Sequence, residues 1–173
     1  MSIGESERAT QNRVVNFFKD RNILDYNYLG NLQYAENKNI REDRLRAYLH
    51  NCGYSQKLID GAVADLIKAA DDMTHGLYDA NRKIYTLLKY GAKVRETPDS
   101  APKTVYFIDV VTPTNNDFSI AEEVTVVGRQ EKRPDLVIYV NGIAMAVIEL
   151  KKSSVSVSNG IRQNLTNQKD GFI

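Results

Sequence analysis

Three charged residues stand at the ends of the most apolar stretch of this chain. Residues 136–140 and 143–150 hold no charge other than Glu149, with Asp135 and Lys151 flanking them. A charge inside such a stretch is costly unless it is paired or binds an ion. Glu149 and Lys151 are two apart, so on one strand both project from the same face. Two carboxylates and an ammonium converging there suit a hard divalent cation that takes oxygen ligands and keeps several waters. Such an ion polarises a phosphoryl oxygen and acidifies a bound water, which a lysine can orient. The chemistry implied is metal-assisted phosphodiester hydrolysis. The same three residues also fit a plain ion-pair cluster at a sheet edge. Spacing alone does not separate the two readings, since Glu36-Asn37-Lys38 repeats the Glu-x-Lys pattern in a polar connector.

The elements that must position these residues are the clearest in the chain. Residues 135–140 and 143–150 read as the two arms of a hairpin around Asn141-Gly142. Both faces of the pair are apolar, which places it in the middle of a sheet with helices on each side. Register then decides whether the acids meet. A strict two-residue turn sets Val140 against Ile143 and sends Asp135 to the face opposite Glu149. A three-residue loop, with Gly142 left-handed as a G1 bulge, pairs Asp135 with Val147 and puts it diagonally beside Glu149. The bulged turn is the expectation.

Further strands are expected at 92–96, 104–110 and 118–127, punctuated by Pro98, Pro102 and Pro113. The first ninety or so residues read instead as helices. Residues 5–20 carry Val14, Val15, Phe17 and Phe18 on one side, and residues 23–38 form an irregular connection. Asn39 with Glu42 resembles a capping box before Leu45, Tyr48 and Leu49, and Ser55 can cap a third helix bearing Ile59, Val63, Leu66, Ile67 and Ala70. A fourth runs from about Leu77 to Tyr90 and stops at Gly91. Helical text resumes near Ser158 and reaches Ile173 without a cap, as if cut from something longer.

Composition limits the alternatives. With 173 residues, 42% hydrophobic and 26% charged, the chain is a globular protein with room for one ordinary core. A lone Cys52 makes no bridge or zinc quartet. The polar start and the lack of an 18-residue apolar run argue for a cytoplasmic protein without a membrane partner. Lys and Arg number 23 against 22 Asp and Glu, so attraction to nucleic acid must be local or borrowed from a larger assembly.

The run Lys132-Arg133-Pro134-Asp135-Leu136-Val137-Ile138-Tyr139-Val140-Asn141-Gly142-Ile143, followed by Val147-Ile148-Glu149-Leu150-Lys151-Lys152, resembles the N-terminal nuclease domain of the R subunit of type I restriction-modification enzymes. The resemblance extends to Tyr28-Leu29-Gly30-Asn31, Leu77-Tyr78-Asp79-Ala80-Asn81, Asn115-Asn116-Asp117-Phe118 and Gly160-Ile161-Arg162-Gln163-Asn164, in order along nearly the whole chain. It implies a PD-(D/E)xK nuclease with an α/β, restriction-endonuclease-like fold: a mixed central sheet flanked by helices, with an N-terminal helical elaboration over about residues 1–91 and the sheet core over 92–173. Under it, Asp135 and Glu149 ligate Mg²⁺ with the main-chain carbonyl of Leu150, and Lys151 acts on the attacking water. Glu7, or Glu5 after it, is the acid that family members add from the first helix, although a first-turn acid also merely complements a helix dipole. Gln163 matches the first half of a Gln-x-x-x-Tyr motif, but position 167 is Asn. A capping or surface role for Gln163 stays open.

Family members continue into ATP-driven translocase domains and assemble with methylation (M) and specificity (S) subunits. This chain has no Gly-x-x-x-x-Gly-Lys-Ser/Thr loop, so any use of ATP belongs to those motor domains. Lys132, Arg133, Lys152, Arg162 and Lys169 gather positive charge around the expected site and suit the phosphates of double-stranded DNA. His50 and His75 have no partners at ligand spacing, and the ten tyrosines read mostly as rings packed at the rim of a core. The expectation is thus an Mg²⁺-dependent type I site-specific deoxyribonuclease domain. Its rivals are a non-catalytic docking or DNA-guiding module and a standalone repair or junction nuclease of the same fold.

Overall fold

The computed structural model describes residues 6–34, 39–72, 76–127, 131–151, 158, 161, 162 and 165. In chain order the elements are α1 (Glu7–Lys19), β1 (Asn27–Asn31), α2 (Glu42–Asn51), α3 (Gln56–Asp71), α4 (Leu77–Tyr90), β2 (Ala92–Val94), β3 (Lys103–Val105), a 3-10 turn (Pro113–Asn115), β4 (Phe118–Glu122), β5 (Val126–Val127), β6 (Glu131–Lys132), β7 (Leu136–Val140) and β8 (Ile143–Ile148). They form two compact units. The first comprises residues 1–39, 118–139 and 144–173; the second, residues 40–117 and 140–143. The α/β class with a mixed sheet is as expected.

The first unit is built on a four-stranded sheet in the order β1-β4-β7-β8. β1 runs parallel to β4, with Tyr28 beside Ile120. β7 is antiparallel to β4, because the Glu123 N–H donates to the Asp135 carbonyl at one end and the Asn141 N–H to the Asp117 carbonyl at the other. Alternation along the strands divides the apolar residues between two faces. Ile120 and Leu136 face α1, where Val15 is buried and Val14 and Phe18 partly so, with Tyr26, Ile148 and Leu150 alongside. Ala121, Val137 and Tyr139 take the other face with Leu29, Leu32, Val124 and Ala144. Phe17, expected to point inward, is 50% exposed, and the buried residue that joins Val15 on α1 is Gln11.

β1 lies in what the sequence reads as an irregular connector. Its register against β4 shifts between Tyr28 and Asn31. Gly30, at φ +88°, supplies the left-handed residue that such a bulge needs. That break in alternation hides the strand from a period-two pattern.

The second unit packs α2 (Leu45, Tyr48, Leu49) and α3 (Leu58, Ile59, Ala62, Val63, Leu66) with Ala92, Val105, Phe107 and Ile143, and α4 adds Ile84, Leu87 and Leu88 at the rim. Two of the expected helix caps are absent. Arg41, not Asn39, precedes α2, and Ser55 precedes α3 but gives its hydroxyl to Glu96 at 2.5 Å instead of capping.

Two expectations about the hairpin are overturned. Asn141 and Gly142 both have positive φ, +52° and +80°, and they alone separate β7 from β8. That is the signature of a two-residue type I′ turn, whereas a G1-bulged loop needs only the glycine left-handed. The reason lies in the asparagine. Its buried amide donates to the Phe107 carbonyl and to Asn116 Oδ1, each at 2.8 Å, and accepts from the Asp117 N–H at 2.7 Å. The pair is also not central on both arms: β8 is the outer strand of the sheet among the described residues, with Met145 47% and Val147 50% exposed.

Candidate active site

All the described residues of the candidate site belong to the first unit. Asp135 sits at a bend between the buried Pro134 and the start of β7, and Glu149 and Lys151 follow directly on β8. An unbroken two-residue hairpin would send Asp135 and Glu149 to opposite faces. Two local departures bring them together. The chain bends at Asp135. β8 also changes face along its length: Ala144 packs beside Val137 and Tyr139, while Ile148, four residues on, packs with Leu136 on the other side. Residues four apart share a face in a regular strand, so parity is lost between them.

The result is a tight junction. The Leu150 N–H donates to Asp135 Oδ2 at 2.6 Å. Glu149 is buried, its side chain 4% exposed, and the Lys151 ammonium stands 3.9 Å from its Oε2. Burial pushes the Glu149 carboxyl above its ordinary range, and the charge of Asp135 pushes it further. Lys151 opposes this, while Glu7 and Glu123 add to it. The charges of three other carboxylates, Asp135, Glu7 and Glu123, thus reach Glu149.

The donor set fits a hard cation. Glu149 is a buried carboxylate whose negative form is disfavoured by a second carboxylate, the condition that a bound cation relieves. The Leu150 N–H occupies one oxygen of Asp135 and so fixes the plane of that carboxylate. Among the described residues no three His, Cys, Asp or Glu side chains stand close enough to hold an ion by themselves. A pair of carboxylates remains sufficient for Mg²⁺, which keeps several waters and rarely takes an all-protein cage.

A second polar group, missed in the sequence, lies beside this one. Glu122, at the end of β4, is 2% exposed. Arg8 donates to its Oε2 at 2.6 Å, Gln11 to the same oxygen at 3.1 Å, and the Tyr28 hydroxyl to its Oε1 at 2.5 Å. The Gln11 amide also donates to the Asp135 carbonyl at 3.3 Å and to Glu123 Oε1 at 3.4 Å. α1 is thus tied by a buried amide to the backbone of Asp135. Glu123 holds a left-handed φ of +52°, rare for a glutamate and a mark of strain where it occurs near a site. Nothing local in the sequence marks Glu122 as the acid that faces inward, since Glu123 beside it is of the same type.

The basic residues are only partly in view. Arg133 is half exposed and pairs with Glu123 at 2.9 Å, Lys132 lies on β6 opposite Val126, and Arg162 is helical and exposed. Lys152, Gln163, Lys169 and the alternative acid Glu5 lie outside the described residues, as do Asn167 and His75. His50 is exposed on α2. No helix among the described residues is long and apolar enough to cross a membrane.

Comparison with known proteins agrees with the motif order. Residues 4–172 match the family model for the type I restriction enzyme R protein N terminus. A curated relative from Methanocaldococcus jannaschii, bearing the name of a type I restriction enzyme MjaIXP endonuclease subunit, is 26% identical over 162 residues. That alignment covers 85% of this chain but 16% of the relative.

Proposed function

Since the chain belongs to the family of type I restriction enzyme R protein N termini, we propose that it is the nuclease domain of such a subunit and hydrolyses DNA phosphodiesters with Mg²⁺. The family assignment implies a nuclease role, and the meeting of Asp135 with Glu149 and Leu150 carries the finer reading. Asp135, Glu149 and the Leu150 carbonyl would hold the ion. When bound, Mg²⁺ supplies positive charge at the scissile phosphate and acidifies water.

The chain's own residues do the rest. The Leu150 N–H orients the Asp135 carboxylate. Lys151, held near Glu149, directs its ammonium at the attacking water and at the charge that builds on the phosphate oxygens. Glu7 adds negative charge from α1, and Gln163 helps couple DNA to the site. Lys132, Arg133, Lys152, Arg162 and Lys169 contact the backbone of double-stranded DNA, which sets register without reading sequence. In the whole enzyme the DNA is delivered by ATP-driven translocase domains of the same polypeptide, together with methylation and specificity subunits.

The test uses the full-length R subunit assembled with its partners. Lys151→Ala is expected to lower DNA cleavage about 10²–10⁴-fold while ATP hydrolysis and translocation continue. Unchanged cleavage would sink the nuclease reading and favour a docking or DNA-guiding module. Independently of turnover, Asp135→Asn should abolish the heat of Mn²⁺ binding seen by calorimetry with the unsubstituted chain.

A further inference from the structure

The second unit carries an outward face that the nuclease reading does not use. α4 turns Ala80, Ile84, Leu87 and Leu88 toward the core. On its opposite side Tyr78, Arg82, Tyr85 and Lys89 recur at spacings of four, three and four, which aligns them in one stripe. Tyr78 is 76% and Tyr85 59% exposed, and Tyr90, at the helix end, is 58% exposed. The Lys89 ammonium lies 5.5 Å from the ring centre of Tyr85 and 5.1 Å from that of Tyr90. Tyr106, 52% exposed, adds a fourth ring at this end, where a Cβ on Gly91 would stand 3.2 Å from its Cδ1.

These rings do not behave as core-rim tyrosines. Tyr54 is one of those: it packs against the core, and its hydroxyl accepts the Tyr106 N–H at 3.1 Å. The four rings are instead more than half exposed, Tyr85 and Tyr90 with the Lys89 ammonium over one face each, and the charged side chains interleaved with them on the stripe are cations. α4 carries Arg82, Lys83 and Lys89 against one acid, Asp79, in a chain whose net charge is +1. Asp79 pairs with Arg82 at 3.3 Å, and Lys83 with Asp72 at 2.5 Å on the flank. Lys89 at the centre of the ring cluster argues against a protein partner, since lysine is depleted in protein–protein interfaces.

We propose that this face of α4 binds single-stranded nucleic acid, with bases stacking on Tyr85, Tyr90 and Tyr78 and phosphates meeting Lys89 and Arg82. Alternating aromatic and cationic side chains are what an unpaired strand demands: flat surfaces for its bases and positive charge for its backbone. A duplex keeps its base faces stacked and can offer the rings nothing but its exterior. Lys89 is already held between two rings, so little side-chain freedom is lost when a phosphate arrives.

Binding here needs neither metal nor hydrolysis, so it is measured in EDTA with the 173-residue chain bearing Asp135→Asn, which keeps it separate from the fate of the nuclease reading. Anisotropy of a labelled oligothymidylate of about 20 nucleotides is expected to report saturable binding, with several-fold to about 100-fold weakening by Tyr85→Ala and retention by Tyr85→Phe. Lys89→Ala should flatten the dependence of log affinity on log salt by about 0.7. The chain has no tryptophan, so quenching of tyrosine emission reports stacking directly. Circular dichroism checks that each variant is folded, and Tyr78→Ala repeats the test at the other end of the stripe. Equal affinities for the unsubstituted and Tyr85→Ala chains, or equal affinity for duplex of the same length, would overturn the proposal. So would self-association that Tyr85→Ala removes in the absence of any nucleic-acid binding.

Discussion

Glu122 illustrates how a buried carboxylate is tolerated: Arg8, Gln11 and Tyr28 together supply its donors. Tyr28→Phe deletes one donor and is expected to cost about 1.5–3 kcal/mol, the range for a hydrogen bond to a charged group, read from urea unfolding at neutral pH. The same residue gives a pH signature. Burial, then the bond to Glu122, raises the Tyr28 hydroxyl from 10.0 to about 12. Between those values the unfolded chain has released a proton that the folded chain still holds, so stability falls as pH rises through that window. The drop in stability from about pH 9 to about pH 11 should therefore be smaller in Tyr28→Phe than in the unsubstituted chain. Glu149 differs in having a second carboxylate beside it, with the Lys151 ammonium 3.9 Å away. Glu149→Gln should leave the thermal midpoint unchanged or higher while abolishing cleavage in the full assembly. Removing that charge relieves the repulsion from Asp135, Glu7 and Glu123 in the ion-free fold.

The hairpin shows an element whose turn and whose site obey different constraints. Its turn is tight: a Cβ on Gly142 would lie 2.5 Å from the Arg41 carbonyl oxygen and 3.0 Å from the Leu45 nitrogen, with φ already at +80°. Gly142→Ala is expected to destabilise by about 1–3 kcal/mol, measured by thermal or urea unfolding. Asn141→Gly keeps the permitted backbone but removes an amide with bonds to Phe107, Asn116 and Asp117. It should still cost about 1–3 kcal/mol, because buried partners are left unsatisfied. These bonds give the Asn115-Asn116-Asp117 segment a structural role: it holds the turn, and the Asn116 amide donates in addition to the Asp109 and Pro113 carbonyls. At the far end of the hairpin the chain bends at Asp135, whose carboxylate takes the Leu150 N–H next to Glu149.

At the scale of the whole molecule, charge and connectivity matter more than any single contact. A net charge of +1 gives almost no long-range pull on a polyanion. Duplex binding by this chain alone should therefore be no tighter than about 10⁻⁶ M at physiological salt, with a shallow salt slope. Anisotropy with a random 30-base-pair duplex, a length of about three helical turns, checks it. A steep slope would reveal more phosphate contacts than the cations account for. Connectivity adds a second point. The chain leaves the first unit after residue 39, builds the second, and returns at 118, and residues 140–143 again count with the second. The tip of the hairpin and the end that carries Asp135 and Glu149 thus belong to different cores, Ile143 packing with α2 and α3 residues and Ile148 with α1.

The helices α1 to α4, the two arms of the hairpin, the α/β class and the family were legible without coordinates, because they rest on local signals: three-to-four spacing of apolar residues, an Asn-Gly turn, and motifs in fixed order. The sequence also singled out Asp135, Glu149 and Lys151, since a charge at the end of an apolar strand is conspicuous without coordinates. How Asp135 comes beside Glu149 and Leu150 was not legible there, and it emerges from the folded chain. Alternation in a strand predicts faces only while the ladder is regular, and the bend at Asp135 and the face change before Ile148 break it. Gln11, Glu122 and Glu123 were silent for a related reason. A polar side chain in a helix or strand carries no local mark of whether a partner 111 residues away will bury it.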